Sequence, residues 1–84
     1  MRRKGYPHTS DIEEAIIEVL ANEYIKPEQF YDKVKAKLEA KGFKTMYMTI
    51  KRVWRIYEEM VRKGRMYDVL GVVEGYEGDL NERV

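Results

Sequence analysis

The chain has 84 residues, enough for one domain near the lower limit of what folds unaided, and its 37% charged and 44% hydrophobic residues are those of a folded chain. It contains no cysteine, which excludes a disulfide framework and a thiolate metal site. The net charge of +1 argues against uniform coating of a polyanion, yet residues 1–65 carry fifteen Lys/Arg against ten Asp/Glu, while residues 66–84 carry one against five.

No apolar run approaches the roughly 20 residues of a membrane span. No apolar segment of the signal-peptide kind follows Arg2, Arg3 and Lys4. A cytoplasmic protein is expected. Two Asn and one Gln beside abundant Glu, Lys and Arg fit the composition of hyperthermophile proteins.

Residues 1–9 have no periodicity, with Gly5 and Pro7 interrupting any helix, and form a basic N-terminal arm. Ser10 followed by Glu13 is a capping-box pattern, with Asp11, Glu13 and Glu14 placed to complement the first-turn dipole. The first helix then runs to about Tyr24, burying Ile12, Ile16, Val19 and Leu20, with Ile17 and Tyr24 on its flank.

Pro27 suits the first position of a second helix, where its missing N–H costs nothing. Phe30, Val34 and Leu38 make its apolar stripe. Gly42 stands where a left-handed residue ends a helix, and Phe43 after it can fold back as in a Schellman ending. Thr45 is the candidate N-cap of a third helix and Gly64 its terminator. Only about three residues then separate the second and third helices, which requires a steep crossing or antiparallel packing.

The third helix, about 45–63, is the most informative segment. Met46, Ile50, Val53, Tyr57 and Met60 alternate spacings of four and three, which gathers them on one face. At about 100° per residue, Lys51, Arg55 and Arg62 line up opposite, with Arg52 beside them. Glu58 and Arg62 are spaced as an i,i+4 pair, so Arg62 has a structural reading as strong as a binding one. Trp54 and Ile56 lie at the edge of the stripe. Past Gly64, Met66-Tyr-Asp-Val-Leu-Gly-Val-Val-Glu74 is rich in β-branched and aromatic residues, as a short hairpin about Leu70-Gly71 or a single bulged strand. Residues 76–84 form an acidic C-terminal tail.

This order of elements resembles the winged helix-turn-helix superfamily of DNA-binding domains, small archaeal-type members in particular. The resemblance covers residues 10–75. It rests on Thr49-Ile50-Lys51-Arg52-Val53 and on Met60-Val61-Arg62-Lys63-Gly64-Arg65-Met66-Tyr67, which look like a recognition helix, its terminal Lys-Gly and a first wing strand. The fold it implies is mostly α with a small β element: a three-helix winged helix-turn-helix-like domain with a short C-terminal hairpin or strand. It implies DNA contact through Tyr47, Met48, Lys51, Arg52 and Arg55. A shorter run, Arg65-Met-Tyr-Asp-Val69 with Val72-Val-Glu-Gly75, is similar to the recognition helix of eukaryotic cell-cycle winged-helix factors, and would make 66–75 helical. The third helix is about a turn longer than in compact members of the superfamily. The proposed wing carries Asp68 and Glu74 and no cation past Arg65, so DNA contact is expected from the helix.

Other chemistry has little support in the residues. Gly71, Gly75 and Gly78 are interleaved with Glu74 and Glu77, which repel phosphate, and no Gly-Lys-Ser/Thr follows. His8 is the single histidine, so neither a catalytic triad nor a histidine zinc site can be assembled. No enzyme activity, cofactor, metal or small-molecule ligand is expected. The expectation is a double-stranded DNA-binding protein, a small transcriptional regulator or chromatin-associated protein. Its contacts would be Lys51, Arg52, Arg55, Arg62, Tyr47 and Met48, with Arg2, Arg3 and Lys4 as an added arm. The competing expectation is a protein–protein interaction module on the same scaffold. Ile17, Tyr24 and Ile56, off the main apolar faces, lead to the expectation of a homodimer built from the first helix or the C-terminal segment.

Overall fold

The computed structural model describes residues 5–73, and three α-helices make up its regular structure: α1 (Thr9–Asn22), α2 (Pro27–Ala40) and α3 (Ile50–Arg62). Arg2, Arg3 and Lys4, residues 74–75 of the expected β-segment and the acidic residues 76–84 lie outside the described residues.

Helix α1 begins earlier than its Ser10–Glu13 pattern predicts. The N–H of His8 donates to the Asp11 carboxylate at 2.9 Å, so Asp11 occupies the third helical position. Glu13, freed from capping, instead accepts from Arg65 at 3.1 Å. Ile12, Ala15, Ile16 and Val19 are buried, Leu20 is half-buried, and the helix ends at Asn22, short of Tyr24.

Helix α2 follows its sequence closely. Pro27 is its first residue, and Phe30, Val34 and Leu38 are completely buried. Its end is a full Schellman motif: Phe43 N–H donates to the Leu38 carbonyl and Gly42 N–H to that of Glu39, each at 3.0 Å, with Gly42 at φ +96°. Helix α3 ends the same way, with Arg65 N–H on the Met60 carbonyl, Gly64 N–H on that of Val61, and Gly64 at φ +75°.

The start of α3 corrects the expected helix over 45–63. Its N-cap is Thr49, whose hydroxyl accepts the Arg52 N–H at 3.1 Å. Thr45 is buried and engaged elsewhere: its hydroxyl donates to Glu39 and its carbonyl accepts the Met48 N–H at 3.1 Å in a tight turn. The Tyr31 hydroxyl, donating to the Met48 carbonyl at 2.9 Å, fixes that turn against α2. The connection between α2 and α3 therefore spans residues 41–49 in place of three residues, and residues 45–49 add no turn to α3. Met46 and Ile50 leave the stripe and face solvent, while Ile56 joins it at 5% exposure with Val53, Tyr57, Met60 and Val61.

All three helices meet in one core. Phe30 of α2 packs on Trp54 at 4.5 Å between ring centroids and on Tyr57 at 5.3 Å, both of α3. Val73, well along the chain, reaches the same core.

The expected wing is absent from the described residues: residues 66–73 form neither strand nor helix, so both readings of this segment are corrected. Its β-propensity is overridden by Asp68, which gathers the backbone into a turn. The Asp68 carboxylate accepts the Tyr57 hydroxyl at 2.6 Å, the Val72 N–H at 3.1 Å and the Val73 N–H at 2.8 Å. Leu70 N–H donates in turn to the Tyr57 oxygen at 3.0 Å. A backbone satisfied this way needs no neighbouring strand. No helix among the described residues is long and apolar enough to cross a membrane.

Candidate nucleic-acid interface

The pitch of α3 places Lys51, Arg55 and Arg62 in one row directly opposite the buried Val53, Tyr57 and Met60. All three are exposed, as is Arg52 on the flank of the row. Some cations of the fold are paired, whereas Lys26, Lys35, Lys37, Lys44 and Lys63, scattered over several segments, are in no ion pair among the described residues. Lys33 pairs with Glu23, Lys41 with Glu14 and Glu18, Arg65 with Glu13, and Arg62 with Glu58 at 2.9 Å in the spacing its sequence predicts. Lys51, Arg52 and Arg55 are in no ion pair among the described residues. Three cations on the first turns of one helix are thus left without local neutralisation, and the acids of that face, Glu58 and Glu59, stand toward its C-terminal end.

Arg52 has a second task. Its guanidinium donates to the carbonyl of the buried Pro7 at 3.4 Å, and Lys44 N–H donates to the Gly5 carbonyl at 3.1 Å. These two bonds lay residues 5–8 along the 41–49 connection, beside the beginning of α3. There Tyr6 packs on Tyr47 with ring centroids 5.3 Å apart, and the Lys44 ammonium stands 5.9 Å from the Tyr6 ring. Tyr47 is 74% exposed and Met46 72%, so the cationic row ends in an aromatic and apolar shoulder that carries its own cation. No family model, characterised protein or solved structure matches this chain.

The structure thus brings together Lys51, Arg52, Arg55 and Tyr47 of the sequence-predicted set. Met48 is a correction: it is 7% exposed and faces the core, because residues 45–48 turn where a helix was expected. Arg62 lies in the row but is bound to Glu58. Lys44 and Tyr6 are site residues that sequence reading missed. Neither belongs to a periodic segment, and the only trace of their role is an apolar Tyr6-Pro7 pair inside a basic arm.

The remaining surface offers less to a ligand. A hollow of about 410 Å³ lies among Pro27, Trp54, Tyr57 and Val73, but its hydroxyl, that of Tyr57, is already committed to Asp68 and Leu70. No group of three or more His, Asp or Glu side chains among the described residues is placed to hold a metal ion.

Proposed function

We propose that this chain binds double-stranded DNA through the outward face of α3, as a small cytoplasmic transcriptional regulator or chromatin-associated protein without catalytic activity. The reading is supported above all by one observation: Lys51, Arg52 and Arg55 share one exposed helical surface and are in no ion pair among the described residues, so their charge is gathered on a single face of α3. A helix about 10–12 Å across with its side chains matches the roughly 12 Å width of the major groove. Lys51, Arg55 and Arg52 then meet phosphates and base edges, and the Met46–Tyr47 shoulder meets sugar or thymine methyl groups. Gly5 is tied beside α3, and each residue extends the chain by at most about 3.6 Å. Arg2, Arg3 and Lys4, which precede Gly5 in the sequence and lie outside the described residues, are proposed to add phosphate contacts. The helix-turn-helix manner of use, with the third helix as reader, goes with this proposal; a wing takes no part in it.

Fluorescence anisotropy of a random-sequence duplex at two salt concentrations tests the reading. Binding through about four to six phosphates loses affinity steeply as salt rises. Lys51→Ala with Arg55→Ala weakens that binding while the melting temperature stays nearly constant, because exposed substitutions shift stability by less than about 0.5 kcal/mol. No binding to duplex at either salt concentration returns the chain to the protein-interaction reading.

A further inference from the structure

We infer that the outer face of α1, together with the turn over residues 65–70, is a two-fold interface with a second copy of this chain. Two hollows of about 320 Å³ each lie side by side there and share Leu20 and Val69 as the ridge between them. Ile17, Met66 and Tyr67 line one hollow, and Tyr24 and Leu70 the other. Tyr24 is 102% exposed, Tyr67 82%, Val69 58% and Ile17 49%. These are the large apolar residues that the core of one chain leaves uncovered on this side of the molecule, drawn from two elements far apart in sequence. The Arg65–Glu13 and Lys33–Glu23 pairs provide charge close by. An apolar centre with charge at its rim is the anatomy of a protein interface.

Two features point to a second copy as the occupant. The first is self-complementarity. A two-fold interface uses the same patch on both subunits, so a patch must carry both what projects and what receives. This one does: an axis near the Leu20–Val69 ridge brings Tyr24 of one protomer over the Ile17–Tyr67 hollow of the other, and the reverse. The second is area. Two exposed tyrosines at about 150–250 Å² each, with Ile17 and Val69, amount to on the order of 600 Å² per protomer. The total of about 1,200 Å² reaches the lower end of stable, specific interfaces. Ile56, counted toward an interface from sequence, is buried within one chain and takes no part.

The inference is independent of DNA binding and is tested without DNA. Sedimentation equilibrium at micromolar concentration is expected to give twice the chain mass of 10.1 kDa. Tyr24→Gln with Tyr67→Gln is expected to give the single-chain mass with an unchanged circular dichroism spectrum, both residues being exposed. Met46→Gln with Tyr47→Gln, which removes comparable exposed surface at the α3 end, is expected to stay dimeric. A wild-type protein of single-chain mass up to several hundred micromolar overturns the inference. So does a Tyr24→Gln, Tyr67→Gln protein that remains dimeric, or a Met46→Gln, Tyr47→Gln protein that dissociates.

Discussion

Tyr57 and Asp68 hold the end of the described chain onto the core, and their protonation makes that hold depend on pH. Burial pushes the Tyr57 hydroxyl above its ordinary value of 10.0, and donation to the Asp68 carboxylate pushes it further. Burial also pushes the Asp68 carboxyl up, but the hydrogen bonds from Tyr57 and from the amides of Val73, Val72 and Gly71 outweigh it and hold it below 3.8. A depressed carboxyl stabilises the fold above its ordinary value, and that contribution is lost as pH falls through the folded value. A raised phenol stabilises below 10.0 and loses its contribution as pH rises toward the folded value. Tyr57→Phe leaves the Leu70 amide without its acceptor and Asp68 without its donor, and a loss of about 1–3 kcal/mol in urea unfolding is expected. Asp68→Asn is expected to destabilise at neutral pH, and its deficit against wild type shrinks as pH falls below 3.8. A deficit constant from neutral pH to the acid limit would show that Asp68 acts by shape and not by charge.

At the scale of elements, the start of α3 separates what the sequence discloses from what it hides. Local stereochemistry is legible: Pro27 at the head of α2, Gly42 and Gly64 at positive φ, and the Phe30–Val34–Leu38 stripe all stand where their chemistry requires. The row Lys51–Arg55–Arg62 is legible for the same reason, since the 3.6-residue period carries it. Met46 continues that period into residues that are not helical, Ile50 continues it onto an exposed first position of α3, and Thr45 and Thr49 are equally good N-caps by residue type. Contacts with α2 settle the choice, Tyr31 on the Met48 carbonyl and Thr45 on Glu39. The β-rich letters of 66–73 yield to Asp68 in the same manner, and Tyr6 and Lys44 join the candidate interface only through tertiary contacts. The boundary makes a sharp contrast testable. Val53→Asp places an unpaired charge at a fully buried site and is expected to unfold the domain. Ile50→Asp, on a 57% exposed residue at the first position of α3, sits at the positive end of the dipole, so stability changes by less than about 0.5 kcal/mol. Thermal melts of the two proteins check this; unfolding by both would restore the longer helix.

For the whole molecule, the inferred pairing face and the proposed DNA-binding face lie on different elements, which would let one copy's pairing multiply the other's contacts. One protomer presents Lys51, Arg52 and Arg55, a modest set for holding a duplex. Two protomers related by a two-fold axis present that set twice, and the second engagement takes place at the high effective concentration set by the first. Affinity is then expected to fall by more than tenfold in the Tyr24→Gln, Tyr67→Gln protein, although both residues lie off the α3 surface and neither substitution alters net charge. The salt dependence carries the sharper signature. Each neutralised phosphate contributes about 0.9 to the slope of log affinity against log salt. The variant's slope on a duplex long enough for both protomers is therefore expected to be about half that of wild type. Lys51→Ala with Arg55→Ala, by contrast, lowers the slope while leaving the mass in sedimentation unchanged. Equal slopes for wild type and the Tyr24→Gln, Tyr67→Gln protein, each of established mass, would show that a single protomer makes all the phosphate contacts and that pairing serves another purpose.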